Sequence, residues 1–232
     1  MADLTIVIGN KGYSSWSMRG WLAVAHTGLD FDEVMLPLDT PTFQERIGAF
    51  SPTRQVPVLL HGSLQVWDSL AIIDYCARLS PERYWWPEDP DAFATARSVA
   101  AEMHSGFKAL RTYAPMNLHK SFDDLKVAPE VAADVERIET IWAECRRRFG
   151  EGGPFLFGDF SAADMMFAPV VTRFVTYGIK MSKESLRYIA AVQSHPTIDR
   201  WYYEASQEKD RLTKYDAGPQ DGVIGPAIKA LH

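Results

Sequence analysis

The spacing of apolar residues changes near residue 80, and this change divides the chain into two parts. Before it, short runs of strand-forming residues alternate with segments of helical spacing. After it, apolar residues recur at the three- and four-residue intervals of amphipathic helices. The pattern predicts an α/β domain over residues 1–80, a linker over residues 81–90, and an all-helical domain with a C-terminal tail over residues 91–232.

The first part is predicted to contain four short strands. An apolar run closed by Gly9 is typical of a buried strand, and the turn His61-Gly62-Ser63 separates the last two. The predicted strands cover residues 4–9, 31–36, 58–60 and 64–67. Helical spacing predicts a helix that Gly28 ends, a less regular one within residues 41–50, and one that begins at Ser69.

The second part is predicted to be a helical bundle. Apolar positions at 96, 99, 100, 103, 107 and 110 indicate one long helix, and those from 131 to 149 indicate another. Ser161 followed by Asp164 resembles a capping box, so a further helix is expected to begin there, with a kink at Pro169. Apolar spacing over residues 198–205 predicts a last helix, and a tail is expected from about Asp216.

Composition and charge exclude several classes of protein. A net charge of -6 argues against a nucleic-acid surface. The two cysteines, Cys76 and Cys145, lie inside helical patterns and indicate core residues rather than a disulfide framework or a metal site. No apolar run is long enough to cross a bilayer and the first residues lack a secretion signal, so we expect a cytoplasmic protein with no membrane partner.

Three segments carry residues that are candidates for binding or catalysis. At residues 13–19, serines occupy a strand-to-helix junction, where they either cap the helix or hold an anion or a thiolate. At residues 55–58, the bond before Pro57 is either trans or cis. A cis bond would turn the Val56 backbone outward to pair with an extended peptide. At the third segment, Asp68 and Ser69 either cap a helix or bind an amino-acid-like zwitterion.

The order of these segments resembles the cytosolic glutathione S-transferases over essentially the whole chain. The motifs are SSWSMR at residues 14–19, QVPVL at 55–59, WDSLAII at 67–73 and GDFSAAD at 158–164. The first is similar to the SSCSxR signature of the zeta class, with Trp16 in place of the cysteine. The resemblance implies a thioredoxin-like domain followed by a helical bundle. It also implies that Ser14, or as second choice Ser15, activates the thiol of glutathione.

The same resemblance implies the binding roles of other residues. Val56 is expected against the cysteinyl backbone of glutathione, Asp68 and Ser69 around its γ-glutamyl end, and Gln55 or Arg54 near its glycyl carboxylate. EMHS at residues 102–105 is similar to the beta-class ELHK stretch, whose histidine approaches the sulfur. The expected second-substrate pocket comprises Trp16, His104, Tyr113, Met116 and Asn117. Arg19 either helps to shape the start of the first helix or is a solvated helix residue, and we expect the latter.

These expectations indicate a glutathione transferase, in which the bound thiolate attacks a small apolar electrophile. Reduced glutathione is the expected co-substrate, no metal is required, and the family resemblance suggests a homodimer. Two alternatives remain. One is a glutathione-dependent cis-trans isomerase of the maleylacetoacetate isomerase type, which the absence of the cysteine makes less favoured. The other is a non-catalytic protein that binds glutathione or apolar ligands.

Overall fold

A four-stranded mixed sheet forms the centre of the N-terminal part in the computed structural model, which describes residues 3–226. The strands are β1 (Leu4–Ile8), β2 (Phe31–Met35), β3 (Val58–His61) and β4 (Leu64–Trp67). Their order in the sheet is β2-β1-β3-β4, with β1 and β2 parallel and the other neighbours antiparallel. All four strands agree with those predicted from the apolar pattern.

Three helices accompany this sheet. They are α1 (Ser15–Thr27), α2 (Pro41–Arg46), which continues as a single 3-10 turn, and α3 (Ser69–Leu79). Helix α1 ends at Gly28, whose φ of 73° lies in the left-handed region that glycine adopts without a steric penalty. Because α1 connects two parallel strands, its N-terminus lies at the end of β1, where the serines of the sequence motif follow.

Helices make up most of the C-terminal part. They are α4 (Pro90–Ser105), α5 (Lys108–Tyr113), α6 (Pro129–Phe149), α7 (Ala162–Thr176), α8 (Lys183–Gln193), α9 (Pro196–Ser206) and α10 (Thr213–Asp216). A mixed sheet with accompanying helices, followed by a helical domain, confirms the predicted fold class. Apolar spacing had not identified α8 as a separate helix.

The prediction of one long helix over residues 96–110 is wrong. The helix stops at Ser105, Gly106 adopts an extended backbone, and Phe107 takes a left-handed φ of 55° before α5 begins. Apolar spacing continues across the break because Phe107 and Leu110 are buried in the same core as α4. Arg111 stabilises the break, since its Nη1 atom donates to the carbonyl oxygens of His104 and Gly106.

The C-terminal part also contains strand structure that the prediction of an all-helical domain missed. Strands β5 (Lys126–Val127) and β6 (Val223–Ile224) form a short parallel pair. Two-residue strands carry no readable periodicity, so only the tertiary structure brings them together. The predicted tail is therefore partly ordered against the bundle, and residues 227–232 of it lie outside the described residues.

Helix α7 joins the two parts of the molecule. The predicted capping box is present, because Asp164 accepts from the backbone N–H of Ser161 at 2.9 Å. On the same helix, the Met166 carbonyl accepts from Nε of Arg19 at 2.9 Å. Arg19 is completely buried, which corrects the expectation of a solvated residue. Within residues 3–226, no helix is long and apolar enough to span a membrane.

Candidate active site

A cavity of about 1140 Å³ lies between the sheet domain and the helical domain. The N-termini of α1 and α3 meet it from one side, and helices α4, α5 and α7 from the other. Ten of the twelve residues predicted for the site line it: Ser14, Ser15, Trp16, Arg54, Gln55, Val56, Asp68, Ser69, His104 and Met116. Residues more than 100 positions apart in the chain thus share one cleft.

Two predicted pocket residues do not reach this cavity. Tyr113 lies instead in a neighbouring cavity of about 300 Å³. Asn117 is fully buried, and its amide donates to the Tyr215 carbonyl at 3.0 Å and to the Asp216 carboxylate at 2.9 Å. Both residues lie at the end of α5 or in the turn after it, where Met116 is the one predicted residue that lines the cavity, while the bonds of Asn117 hold it in the core.

Ser14 is the N-cap of α1. Its Oγ atom accepts from the Ser17 backbone N–H at 3.3 Å and donates to Ser17 Oγ at 2.7 Å. Ser17 Oγ in turn accepts from the Gly9 backbone N–H at 2.9 Å. The Ser14 hydroxyl proton is therefore directed into the protein, and this residue performs the capping role that the sequence left open.

Ser15 occupies the first position of α1 and has a different environment. Its Oγ atom accepts from Nη2 of Arg173 at 3.2 Å. No described residue receives the Ser15 hydroxyl proton, which stays available to a ligand in the cavity. The positive end of the α1 dipole and the guanidinium group both favour an anion at this point.

One edge of the cavity is made by the segment before β3. The Val56–Pro57 bond is cis. Val56 has no backbone hydrogen-bond partner among the described residues, so its N–H and C=O are free to bind an extended ligand. Arg54 and Gln55 are exposed at the rim of the same edge.

The start of α3 provides a second polar end of the cavity. Asp68 caps the helix through a bond from the Leu70 N–H at 2.9 Å, and its other carboxylate oxygen lies 2.8 Å from Nε2 of His104. Ser69 is 1% exposed, and its hydroxyl has no partner in the described part of the chain. An unpaired buried hydroxyl at a helix N-terminus suits a ligand carboxylate, while Asp68 suits an ammonium group.

Trp16 is held by cationic side chains. The guanidinium carbons of Arg19 and Arg111 lie 4.6 and 4.5 Å from its ring centroid. The His104 ring meets the indole edge-on at 5.2 Å. Nη1 and Nη2 of Arg19 have no hydrogen-bond acceptor among the described residues, so the aromatic ring is its main partner on that side. Burial is the main reason that the pKa of Arg19 is lowered.

Three of the cationic residues that line the cavity were not predicted from the sequence. Lys108, Arg111 and Arg173 line it together with Arg54, whereas Asp68 is the one carboxylate among its described lining residues. Burial lowers the pKa of Arg173 to about 10, which leaves it protonated at neutral pH. The sequence did contain a signal for Arg173, because this residue interrupts the apolar stripe of α7. Burying a charge there is unfavourable, so an arginine at such a position indicates a functional site.

A C-terminal strap, residues 211–216, closes one side of the cavity. Tyr215 lines the cavity, and Asp216 accepts from the Tyr13 hydroxyl at 3.1 Å. The Tyr13 proton is thereby engaged in holding the strap. Lys214 pairs with Asp39 of the sheet domain, so the strap contacts both parts of the molecule.

No group of three or more metal-ligating side chains occurs among residues 3–226. The donors that converge on the cavity are hydroxyls, guanidinium groups and backbone N–H groups, which suit a negatively charged organic ligand.

Two family models match the chain. The model described as glutathione S-transferase, N-terminal domain, covers residues 13–79, and the model described as glutathione S-transferase, C-terminal domain, covers residues 128–202. Together they match more than half of the chain, and the matched regions include the serines of α1, the segment before β3, and α7.

Curated relatives are distant in sequence, but the matches cover most of both chains. Maleylacetoacetate isomerase of Rattus norvegicus is 25% identical over 174 residues, covering 73% of this chain and 78% of the relative. Glutathione S-transferase 1 of Dianthus caryophyllus is 27% identical over 185 residues, with the same two shares covered.

Solved structures share the fold. A glutathione transferase homologue from Burkholderia with bound glutathione superimposes with a TM-score of 0.67 at 23% identity, covering 88% of this chain and 99% of the other. A holo maleyl pyruvate isomerase, a bacterial zeta-class glutathione S-transferase, superimposes with a TM-score of 0.69 at 17% identity. The match covers 90% of this chain and 100% of the other.

Proposed function

Since the chain belongs to the glutathione S-transferase family, we propose that it binds reduced glutathione in the cavity between its two domains and adds the thiolate to a small electrophile. One observation carries the proposal. The unpaired Ser69 hydroxyl beside Asp68 and the Ser15 hydroxyl beside Arg173 lie in one cleft, with the free backbone of Val56 also in it. This arrangement suits a zwitterionic peptide that ends in a thiol.

Each part of glutathione has a complementary group. Asp68 accepts from the γ-glutamyl ammonium group and Ser69 donates to the adjacent carboxylate. The Val56 backbone pairs with the cysteinyl residue, and Arg54 or Gln55 lies near the glycyl carboxylate. A free thiol has a pKa of about 8.5, so a donor and a positive potential at the sulfur are needed to raise the thiolate fraction at neutral pH.

We assign the donor role to Ser15. The sequence resemblance places Ser14 first, but the Ser14 proton is directed to Ser17, whereas the Ser15 proton has no acceptor among the described residues. Ser15 donates to the sulfur and does not need to act as a base. The thiol proton passes to solvent, and the thiolate forms a new C–S bond. It either displaces a leaving group, which departs with its electron pair, or adds to an electron-poor double bond, whose carbanion then takes a proton from solvent.

The thiolate absorbance of bound glutathione tests this function. We expect a bound thiol pKa well below the free value in the wild-type protein, loss of this shift in Ser15→Ala, and retention of most of it in Ser14→Ala. Turnover with a thiol-reactive acceptor should follow the same order. No thiolate signal at saturating glutathione would favour the non-catalytic binding protein, and loss in Ser14→Ala alone would return the role to Ser14.

A second candidate is the cis-trans isomerase, which the excess of cations in the cavity favours. Lys108, Arg111 and Arg173 offer sites for the carboxylates of an unsaturated acid, and curated relatives are named maleylacetoacetate isomerase. The thiolate would add to the cis double bond, the resulting single bond would rotate, and elimination would release the thiolate and the trans acid. A direct assay of maleylacetoacetate loss that requires glutathione, with Arg111→Met raising its KM, would establish this activity.

We also propose that two copies of the chain pair. Pairing of two copies has support in three exposed apolar side chains, Leu64 and Trp67 of β4 and Phe93 of α4, each between 45% and 46% exposed. A cytoplasmic location stays a prediction from the sequence, and the family resemblance suggests a role in detoxification. The domain boundaries at residues 80 and 91 also stay predictions.

A further inference from the structure

The guanidinium group of Arg173 lies on the helical side of the cavity and is fixed in three directions. Its Nε donates to the Ala114 carbonyl at 2.9 Å, Nη1 to the Pro169 carbonyl at 3.0 Å, and Nη2 to Ser15 Oγ at 3.2 Å. The residue is 4% exposed. These bonds leave the group little freedom, so it presents one N–H to the Ser15 hydroxyl in a defined geometry.

No carboxylate neutralises Arg173 within the described range. The charged and titratable groups that face this side of the cavity are Arg19 from α1, Asp68 from the start of α3, His104 from α4, and Lys108 and Arg111 from α5. Arg111 opposes the charge of Arg173 and Tyr177 favours it, while burial is the largest influence on its pKa. A buried cation without a counterion is costly, and an anion that binds beside it offsets part of this cost.

The orientation of Ser15 connects this cation to the ligand. Because Ser15 Oγ accepts from the guanidinium, its own proton must point away from Arg173. Ser15 lines the cavity, and no described residue accepts this proton, so it is free to point into the cavity. A hydroxyl that accepts from a cation is also a better donor, since hydrogen bonds in a chain polarise one another.

We propose that Arg173 is a positioning residue for thiol activation: it orients and polarises the Ser15 hydroxyl toward the sulfur of glutathione and thereby stabilises the thiolate. This inference rests on the proposed function and deepens it. It differs from a role in holding an acceptor carboxylate, because stabilisation of the thiolate requires no acceptor. Ser15 keeps its proton throughout, and the thiol proton goes to solvent.

The experiment is a titration of thiolate absorbance for glutathione bound to Arg173→Met, Ser15→Ala and the double variant, with no electrophile present. A cation at hydrogen-bonding range of the donor is expected to lower the thiol pKa by about one unit or more. Arg173→Met should therefore raise the bound thiol pKa by that amount, roughly a tenfold loss of thiolate at pH 7. The double variant should match Ser15→Ala, since both changes remove the same interaction.

Arg111→Met is the matched comparison. It removes a guanidinium from the same cavity without breaking a bond to Ser15, so its thiol pKa should change less than that of Arg173→Met. Circular dichroism checks folding. Should Arg173→Met not fold, Arg173→Lys carries the test, because a lysine ammonium group cannot hold both carbonyls and Ser15 together, and the thiol pKa should still rise.

The outcomes distinguish the positioning role of Arg173 from the proposed function. A normal wild-type thiolate that is unchanged in the folded Arg173 variant, with only the KM of an acidic acceptor raised, would overturn the positioning role and leave the proposed function intact. Additive shifts in the double variant would also overturn it. A wild-type protein that binds glutathione without forming thiolate would overturn the proposed function and this inference together.

Discussion

Asp164 shows how much one buried side chain can organise. It is completely buried and accepts from the Leu156 N–H at 3.1 Å, the Ser161 N–H at 2.9 Å, the Ser161 hydroxyl at 2.8 Å and the Tyr188 hydroxyl at 2.9 Å. These donors belong to the loop before α7, to the cap of α7 and to α8. Asp164 therefore connects three segments around the helix that carries Arg173.

We expect Asp164→Ala to lower the free energy of unfolding by about 3 kcal/mol or more, because several buried donors lose their acceptor at once. Urea denaturation monitored by tryptophan fluorescence measures this change. Asp159→Ala is the control, since Asp159 is an exposed acid five positions earlier, and it should change stability by less than about 0.5 kcal/mol. Equal losses in the two variants would contradict the role assigned to the buried carboxylate.

The sequence predicted the environment of some individual residues but not of others. The capping pair Ser161 and Asp164 could be recognised because its spacing is local. The burial of Arg19 could not, since the acceptor of its Nε atom lies 147 positions away on α7. An arginine on a surface helix and one on an interdomain helix have the same local sequence pattern.

At the scale of elements, the C-terminal strap is held by a small number of polar contacts. Asp216 accepts from Tyr13 and Asn117 and lies 3.5 Å from Nε of Arg211. Tyr215 next to it contacts the Tyr13 ring at a centroid distance of 5.9 Å. Because these contacts fix the position of Tyr215, they shape the wall of the cavity.

Asp216→Ala is expected to release the strap without unfolding the protein. Loss of its hydrogen bonds should cost about 1–2 kcal/mol locally, which corresponds to at least a fivefold increase in amide hydrogen exchange over residues 211–216. The acceptor KM should rise while the glutathione KM stays nearly constant. Asp210→Ala changes an exposed acid of the preceding turn and should show neither effect; protection of the strap in Asp216→Ala equal to wild type would refute its anchoring.

At the scale of the whole molecule, two half-buried histidines lie where the domains and the linker meet. His195 stacks on Phe160 at a centroid distance of 3.8 Å and caps α9 by accepting from the Thr197 N–H. His26 packs edge-on against Trp85 of the predicted linker at 4.8 Å. Burial lowers the pKa of both groups, that of His195 to about 4.

Stability should therefore fall as the solution becomes more acidic. Because the folded-state pKa of His195 lies below its unfolded value, the unfolded chain binds more protons between about pH 6.5 and pH 4, and protonation favours unfolding across that window. We expect a loss of about 1–2 kcal/mol from His195 between pH 7 and pH 4, less than the full pKa shift would give because the ring is partly exposed and solvent screens its charge. The urea midpoint at a series of pH values measures it.

Two variants separate titration from helix capping at His195. His195→Asn keeps a capping acceptor but does not titrate, so its stability should depend less on pH while remaining near wild type at pH 7. His195→Ala should show the same flattened dependence and an additional loss of about 1 kcal/mol at every pH. An unchanged pH dependence in His195→Asn would exclude this histidine as the origin.

The sequence by itself determined the strands, most helix positions, the capping pair of α7 and the family. These features depend on spacing within about ten residues or on motifs in a fixed order, and such information is local. Ten of the twelve residues that it predicted for the site line the cavity, because the family resemblance places their motifs at the ends of strands and the starts of helices.

The tertiary structure alone decided which of these residues have available chemistry. Ser14 and Ser15 are indistinguishable by local pattern, but one donates to Ser17 and the other accepts from Arg173, 158 positions away. The break after α4, the strap over the cavity and the buried cations likewise depend on contacts between distant segments. A hydroxyl proton points where its neighbours leave room for it, and those neighbours are assembled only when the two domains pack together.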